Sequence, residues 1–361
     1  MFGLYIHIPY CASKCRYCDF YSAACRDGVP DAYLDALLRE MERFANCDCA
    51  ALRPDTLYFG GGTPSLLRPA QVRRLIAAAS PAPGAEVTLE ANPETVTPDT
   101  LAGYRAAGVN RLSFGVQTAF DDSLARLGRR HTAGQARQAL RWACQAGFGN
   151  ISGDVMLALP HYSPQELEAT LALLAEEGCT HISSYLLKIE PGTVFGRRPP
   201  QGLPTDDEAA DFYLAAVEQL AALGFAQYEI SNFARPGFES RHNLIYWNCE
   251  DYLGLGPTAA SCMGGRRFSC PRGTAGFLAA PARYTPEGGC TAQDYIMLRL
   301  RLAAGLHLPT LWRDWHTALD EPKLAFCRRL AREGLARFNG ETLALTPRGM
   351  LVQNSILCEL L

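Results

Sequence analysis

Short apolar runs alternate with amphipathic stretches through the first 224 residues of this 361-residue chain. The apolar runs predict six strands, and most are apolar on both faces, as parallel strands covered by helices are. They lie at 4–8, 56–59, 86–90, 111–116, 151–157 and 181–187. The amphipathic stretches predict six helices, at 31–45, 69–79, 97–107, 132–146, 164–177 and 206–223. Six successive strand–helix units predict an α/β fold, an incomplete parallel βα barrel of the TIM type.

The alternation ends after Gly224. Residues 225–265 are rich in aromatic, Asn and Gly residues, and residues 266–289 carry Gly, Pro and Arg, which predicts loops or a linker. Helical patterns follow at 292–304 and 322–333, then a hairpin within 335–346 and a last helix from Pro347. We therefore expect a barrel domain at 1–224, an aromatic and Gly-rich region at 225–289, and a small helical, winged domain at 290–361.

Charge and hydropathy exclude several classes of protein. The 34 Lys and Arg against 37 Asp and Glu give a net charge of −3, so there is no electrostatic basis for binding nucleic acid. No run approaches the roughly 20 apolar residues of a membrane span, and the amino end lacks the pattern of a secretory signal. We expect a cytoplasmic protein whose 14 cysteines are mostly reduced, so clustered ones are metal or redox candidates.

Three cysteines lie close together directly after the first predicted strand. Cys11, Cys15 and Cys18 have the spacing C-x₃-C-x₂-C. A loop of this length can wrap three thiolates around one face of a four-iron cluster and leave the fourth iron open. A zinc site completed by Asp19 or His7, or three unrelated thiols, are the alternatives that the spacing alone leaves open.

Polar and glycine residues recur where the other predicted strands end. Parallel βα barrels carry their functional groups at this edge. The residues are Gly60-Gly61-Gly62-Thr63-Pro64, Glu90, Asn92, Gln117, Asp154, Tyr185 and Lys188. One such residue is often only a turn or a helix cap, but their coincidence at one edge predicts a ligand site shared with the cysteine loop.

The cysteine triad, GGGTP at 60–64, Glu90-x-Asn92-Pro93 and RLSFGVQ at 111–117 together resemble one radical S-adenosylmethionine (SAM) group. It contains the oxygen-independent coproporphyrinogen III oxidases and their heme-chaperone relatives, and the resemblance extends over nearly the whole chain. It implies that Cys11, Cys15 and Cys18 hold a [4Fe-4S] cluster whose open iron binds SAM. The SAM contacts that it implies are Tyr5, Tyr17, Gly61, Gly62, Thr63, Glu90, Gln117, Arg129 and Asp154. Lys188 stands where the oxidases have a small residue.

Two features separate the oxidases from the chaperones. The oxidases have a fourth cysteine two residues after the triad, where this sequence has Phe20, and an extension ahead of the first strand, where it has three residues. Both differences count against an oxidase, which stays the alternative.

The string His242-Asn243-x-x-Tyr246-Trp247 is similar to a signature of the heme chaperones. It implies heme as a ligand of this chain and His242 as its axial ligand, and an imidazole can ligate heme iron while aromatic rings cover a porphyrin face. A packed histidine in an aromatic loop is the alternative. The resemblance further implies heme-accepting apoproteins, such as respiratory proteins, as partners, and it is compatible with a homodimer and with peripheral membrane contact. The residues do not decide whether SAM is cleaved during heme transfer or sets a conformation, so enzymatic activity stays open.

The other cysteines show no compact ligand spacing. Cys47 and Cys49 form C-x-C after the first helix, and four more are scattered through the second half of the chain, at Cys249, Cys262, Cys270 and Cys290. We expect these to be ordinary thiols.

Overall fold

The computed structural model describes residues 1–25, 27–46 and 53–361, so Cys47 and Cys49 lie outside the described residues. Through residue 224 the strands and helices are, in chain order, β1 (Phe2–Ile8), β2 (Tyr10–Cys11), β3 (Ala23–Ala24), α1 (Asp31–Asn46), β4 (Thr56–Gly61), α2 (Pro69–Ala79), β5 (Glu86–Ala91), α3 (Pro98–Ala107), β6 (Arg111–Gln117), α4 (Asp121–Leu127), α5 (Ala133–Gln145), β7 (Ile151–Leu157), α6 (Pro164–Glu176), β8 (His181–Leu186), α7 (Val194–Arg197) and α8 (Asp206–Ala222). Single 3₁₀ turns at Pro64–Leu66 and Pro93–Thr95 follow β4 and β5.

All six predicted strands and six predicted helices of this half are present, and capping explains where the helices start. Thr97, Thr132, Ser163 and Thr205 each accept a hydrogen bond from the backbone N–H three residues on. At the other end of α3, Gly108 takes the left-handed backbone (φ 110°) that closes a helix without steric cost. The sequence missed α4, which is only seven residues long.

The strands form one large, mostly parallel sheet. Six strands pair in the order β1-β4-β5-β6-β7-β8, all parallel, as successive right-handed βα units require. The side chains on their helix-covered face, such as Leu57, Leu89 and Leu112, are fully buried. The opposite face carries polar groups in register: Glu90 pairs with Ser113, and Asp154 pairs with Ser183.

Residues 225–289 extend the same sheet at both ends. Their elements are β9 (Ala226–Glu229), β10 (Asn232–Ala234), α9 (Arg241–Trp247), β11 (Asp251–Leu255), β12 (Ala260–Met263), β13 (Arg266–Ser269), α10 (Thr274–Ala279) and β14 (Thr285–Gly289). Beyond β8 the sheet continues with β10 and β9, and on the other side of β1 it continues with β11, β12, β13 and β14.

The prediction of loops or a linker at 266–289 is therefore wrong. The residues form β13, α10 and β14, and β14 is the outermost strand. An edge strand tolerates Pro286 and the left-handed Gly288 (φ 98°), because none of the described strands pairs with its outer side. Gly and Pro here mark an edge strand and not a linker.

The last part of the chain has a separate apolar core. Its elements are α11 (Ala292–Arg299), β15 (Leu306–His307), α12 (Leu308–Trp315), α13 (Glu321–Arg332), β16 (Ala336–Phe338), β17 (Thr342–Leu345), α14 (Pro347–Leu351) and α15 (Gln353–Leu360). The short strands form an antiparallel sheet in the order β15-β17-β16. Leu300, Leu311 and Leu345 belong to this core. A salt bridge of 3.2 Å joins Arg301 to the buried Glu229 of β9 and ties this part to the large sheet.

None of the described helices has both the length and the apolar character needed to cross a membrane.

Candidate functional site

The carboxyl ends of the parallel strands open on a cavity of about 420 Å³, the strand-end cavity. Eleven of the thirteen predicted site residues line it: Cys11, Cys15, Tyr17, Cys18, Gly61, Gly62, Thr63, Glu90, Gln117, Arg129 and Asp154. Neighbouring strands lie about 4.8 Å apart, so a flat sheet would hold the ends of β1 and β7 roughly 19 Å apart. Because residues from both ends line one cavity, the sheet curves around it.

The cysteine loop is closed at its base by backbone hydrogen bonds. The short strands β2 and β3 pair in parallel, and the N–H of Cys25 donates to the carbonyl of Cys11 at 2.7 Å. Gly62 packs against this base: a Cβ there would lie 2.6 Å from the carbonyl oxygen of Tyr10 and 3.0 Å from the Sγ of Cys11. Only glycine therefore lets the end of β4 approach the triad this closely.

Three thiols lining one cavity are a suitable donor set for an iron–sulfur cluster. Within the described residues, no three Cys, His, Asp or Glu side chains converge as the ligands of a single metal ion would. In a cubane each cysteine binds a different iron, so the three sulfur atoms need to face the same cavity without meeting at one point. The triad satisfies that requirement.

Arg129 places a partly buried positive charge against the triad. Its Nη1 donates to the Sγ of Cys15 at 3.6 Å, and its Nη2 donates to the Oδ1 of Asn92 and the carbonyl of Gly115, at 2.6 and 2.5 Å. The Nε is buried and has no hydrogen-bond partner among the described residues. Since a guanidinium is always charged in a protein, Arg129 offsets negative charge that builds up on the thiolates.

Two partly buried carboxyl groups face the same cavity. Glu90 accepts hydrogen bonds from the Tyr58 hydroxyl at 2.8 Å and from the N–H of Gly61 at 3.0 Å. Burial, with the nearby Asp154 adding to it, raises the pKa of Glu90 to about 7. Burial also raises the pKa of Asp154, which accepts a hydrogen bond from Ser113 at 3.1 Å. Once ionised, two carboxylates at the wall of one cavity stabilise a cation that enters it.

The end of β6 is irregular where it meets the cavity. The pairing register of β6 with β7 shifts between Phe114 and Gln117, and Gln117 has a left-handed backbone (φ 70°). A Cβ at Gly115 would lie 2.9 Å from Nη2 of Arg129, so a side chain there would displace the guanidinium. Strained backbone at a non-glycine residue is a common feature of binding sites, and here it turns Gln117 toward the cavity.

Some residues of the cavity were not predicted from the sequence, among them Ser113, Met156 and Leu187. The signal for the first two was the strand period of two: Ser113 precedes Gly115 by two residues, and Met156 follows Asp154 by two. Asn92, Tyr185 and Lys188, which the strand-end pattern did single out, also line the cavity.

The structure places Tyr5 and His242, the other two predicted site residues, away from the strand-end cavity. The Tyr5 hydroxyl shares a hydrogen bond of 3.0 Å with Nδ1 of His7, and its ring stacks on Tyr58. His242 lies in α9, near the first residues of β4 and β5, at the opposite end of the strands.

Both ring nitrogens of His242 have partners. Nδ1 shares a hydrogen bond of 2.7 Å with the Thr56 hydroxyl, and Nε2 shares one of 2.7 Å with the Tyr246 hydroxyl. The residue is 1% exposed, and burial lowers its pKa to about 3, so the ring is neutral at physiological pH. In this arrangement His242 fixes the position of Tyr246.

A second cavity of about 490 Å³ lies beside α9, and we call it the aromatic cavity. Six aromatic side chains line it: Tyr5, Phe20, Tyr21, Tyr246, Trp247 and Tyr252. Three thiols also line it, from Cys249, Cys262 and Cys290. Phe20 lines both cavities, so the two are neighbours.

Comparison with known proteins agrees with this fold and site. Residues 5–174, which contain the cysteine loop and most of the strand-end cavity, match the model of the Radical SAM superfamily. The solved structure of coproporphyrinogen III oxidase (HemN) from Escherichia coli, described as a radical SAM enzyme, superimposes with a TM-score of 0.85 at 24% identity, over 99% of this chain and 89% of that one. It therefore has the same fold.

Two relatives identify the family. The heme chaperone HemW of Mycobacterium tuberculosis is 36% identical over 100% of this chain and 95% of its own length. The heme chaperone HemW of Escherichia coli strain K12 is 42% identical over 70% of this chain and 68% of its own. The chain therefore belongs to the HemW family of heme chaperones, within the radical SAM superfamily.

Proposed function

We propose that this chain is a radical SAM heme chaperone, which holds a [4Fe-4S] cluster and SAM in the strand-end cavity, binds heme, and passes heme to an acceptor apoprotein such as a respiratory protein. The observation that carries the proposal is that three thiols, two partly buried carboxyl groups and Arg129 line one cavity, in a chain of the HemW family. The curvature around this cavity supports an incomplete barrel for residues 1–224, with 225–289 and 290–361 as the second and third parts.

Different groups of the chain would bind the cluster and SAM in the strand-end cavity. Cys11, Cys15 and Cys18 would hold the cluster, which when bound supplies an electron and an open iron that SAM chelates through its amino and carboxylate groups. Backbone groups at 61–63 approach closely because two of the three residues are glycines. Gln117 offers an amide beside them.

The charged groups of the cavity suit a ligand with both positive and negative ends. SAM carries a sulfonium, an ammonium and a carboxylate. Glu90 and Asp154 would face its cationic groups and its ribose hydroxyls, and Arg129 would balance the thiolates and the carboxylate. Tyr5, which lies on the side of the aromatic cavity, would act on this site only through its packing against Tyr58 and Gly60.

His242, Tyr246 and Trp247 belong to one short helix, α9, beside the aromatic cavity. We propose that heme binds on this side of the molecule. His242 would ligate iron only after giving up its hydrogen bond to Thr56 or to Tyr246, since both ring nitrogens are engaged. Phe20, in place of the fourth cysteine of the oxidases, lies between the two proposed ligand sites.

A paired experiment tests the function. The full chain, reconstituted anaerobically with iron and sulfide, should contain about four irons and bind SAM, and a Cys15→Ala variant should lose the cluster. Cys358→Ala is the matched control, since that thiol is exposed near the carboxyl end. The reconstituted protein is then titrated with hemin and mixed with an apo-hemoprotein, and it should bind heme and transfer it.

The same protein is incubated with coproporphyrinogen III, SAM and a reductant under strict anaerobiosis. Decarboxylation would show an oxidase and overturn the proposal, as would a reconstituted protein that binds no heme.

A further inference from the structure

Three cysteines that the sequence offers no reason to connect meet in the aromatic cavity. Cys262 lies on β12, Cys290 follows β14, and Cys249 follows α9. Strand β13 pairs with both β12 and β14, and this pairing brings Cys262 and Cys290 together. Their sulfur atoms are 3.0 Å apart. Two sulfur atoms in contact form a ready donor pair for a soft metal centre.

The walls of the cavity suit a flat aromatic ligand. The rings of Tyr246 and Tyr252 meet edge to face at 4.5 Å, and Trp247 stands next to Tyr246. The indole Nε1 of Trp247 is buried, with no hydrogen-bond partner among the described residues, so a donor is left for a ligand. A volume of about 490 Å³ lies within the range of cofactor sites in proteins.

One cationic group lines the cavity. Arg267 pairs with Asp294 through an N–O distance of 3.4 Å, and both side chains line the cavity. This ion pair is long and partly exposed, so it is weak, and the guanidinium is available to a carboxylate that arrives with a ligand. The cavity thus combines thiols, aromatic faces and a cation that can bind an acid group.

We propose that heme binds in the aromatic cavity with a sulfur atom of the Cys262–Cys290 pair as its axial ligand and with a propionate on Arg267. This inference rests on the proposed function and assigns its heme site. It also changes the role of the His242 string, because Tyr246 and Trp247 form the wall of the site while His242 holds Tyr246 in place.

The binding step is an exchange of a proton for iron. In the metal-free chain Cys262 and Cys290 are free thiols whose sulfur atoms are in contact at the cavity wall. On binding ferric heme one S–H bond breaks, its proton goes to water, and a bond forms between sulfur and iron, with no change in oxidation state. The second thiol keeps its proton and donates a hydrogen bond to the ligating sulfur, which stabilises the thiolate.

The test compares full-length variants with the cluster reconstituted. Each is reduced, freed of reductant and titrated anaerobically with hemin, and the bound heme is examined by absorption and resonance Raman spectroscopy for an iron–sulfur bond. The variants are Cys290→Ser, the double variant Cys262→Ser with Cys290→Ser, and His242→Ala. Cys270→Ser is the matched control, because Cys270 is a buried thiol directly after β13 that does not line the cavity.

We expect a thiolate-ligated spectrum in the unchanged chain and in Cys270→Ser. His242→Ala should keep the iron–sulfur vibration but bind hemin more weakly, because Tyr246 loses the hydrogen bond that holds it at the wall of the site. The double variant should lose the iron–sulfur vibration and bind hemin at least tenfold more weakly, while its cluster content and thermal unfolding stay close to those of Cys270→Ser. Heme that binds without an iron–sulfur bond, or that keeps this bond in the double variant, would overturn this site but leave the proposed function intact. A chain that binds no heme at all would overturn both.

A second measurement does not depend on the cysteines. Arg267→Ala should weaken the binding of hemin several-fold but leave the binding of hemin dimethyl ester, which has no free carboxylates, unchanged. An equal effect on both ligands would show that Arg267 does not contact a propionate and would overturn that part of the assignment.

Discussion

The guanidinium of Arg129 donates a hydrogen bond to the sulfur of Cys15, at an N–S distance of 3.6 Å. Hydrogen bonds and positive charge at cluster sulfurs stabilise the reduced cluster and so raise its potential. Replacing Arg129 with Met should therefore make the cluster potential more negative, on the order of 60 mV for a tenfold change in the reduction equilibrium.

An EPR-monitored redox titration measures this shift. Arg129→Lys is the matched control, because it keeps the charge but not the planar fork. Its cluster potential should lie between those of the unchanged chain and of Arg129→Met. An unchanged potential in Arg129→Met would contradict the idea that Arg129 acts on the cluster.

The raised pKa of Glu90 predicts that SAM binding depends on pH. Burial raises the pKa of Glu90 to about 7, so the free site holds a proton below that pH and has to release it before it can face a cation. We expect SAM affinity to rise between pH 6 and pH 8, by at most about tenfold per pH unit. Isothermal titration calorimetry over this range measures the effect.

The variant Glu90→Gln should bind SAM more weakly and with a flatter pH profile. The pH dependence of SAM affinity is reduced and not abolished, because burial also raises the pKa of Asp154. Folding stability depends on pH in the opposite direction from SAM affinity. Between about pH 4.5 and 7, folded Glu90 holds a proton that the unfolded chain releases. The stability that this proton gives to the SAM-free protein is therefore lost as the pH rises through that range. A SAM affinity that falls with pH would refute this assignment.

Gly62 is expected to be essential for the cluster loop. In Gly62→Ala the new methyl group would lie 2.6 Å from the carbonyl oxygen of Tyr10, so either β4 or the cysteine loop must move. We expect much less iron per chain after reconstitution, measured by iron and sulfide analysis. Gly149→Ala is the control, because a Cβ there meets none of the described atoms within 4 Å. Equal iron content in the two variants would argue against this packing role.

The six strands and most helices could be predicted because each repeats one strong local pattern, an apolar run followed by a capped amphipathic stretch. The register of strand ends was predictable for the same reason, and Gly61, Glu90 and Asp154 do line one cavity. These predictions need only the direction of neighbouring strands.

What could not be predicted depends on contacts distant in sequence. Cys262 and Cys290 are 28 residues apart, and only the pairing of β12, β13 and β14 joins them. The position of His242 is a similar case. Its motif implied an axial ligand of heme, with a packed histidine as the alternative. In the structure Thr56 and Tyr246 hold the ring in the interior, and Thr56 lies too far away in sequence for a local pattern to decide between the two.

Replacing His242 should lower the free energy of unfolding substantially. Removing its ring in His242→Ala leaves the hydroxyls of Thr56 and Tyr246 without partners and creates a cavity, at a cost of roughly 2–4 kcal/mol. Chemical denaturation of the cluster-free chain measures it. His307→Ala is the control, since that histidine is half-buried with one hydrogen bond, to Thr310, and it should cost much less.

The pH dependence of stability gives a second signature of His242. Its pKa is lowered to about 3 in the folded chain, so the unfolded chain binds a proton below about pH 6.5 that the folded chain does not. Stability should therefore fall as the pH falls from 6.5 toward 3, and His242→Phe should make this fall less steep by about one proton. An identical slope in the variant would mean that another group is responsible.

Phe20 is 64% exposed and lines both cavities, which is an unusual position for a large apolar side chain. It makes little contribution to the core, so Phe20→Ala should leave the unfolding free energy and the iron content nearly unchanged. An aromatic ring against a porphyrin face contributes about 0.5–1.5 kcal/mol. Heme affinity should therefore fall roughly threefold to tenfold in Phe20→Ala and be largely retained in Phe20→Trp. Fluorescence-quenching titrations with hemin compare the three chains. If Phe20→Ala binds heme as tightly as the unchanged chain, heme does not reach the boundary between the two cavities, and its site must lie deeper, against Tyr246 and Trp247 alone.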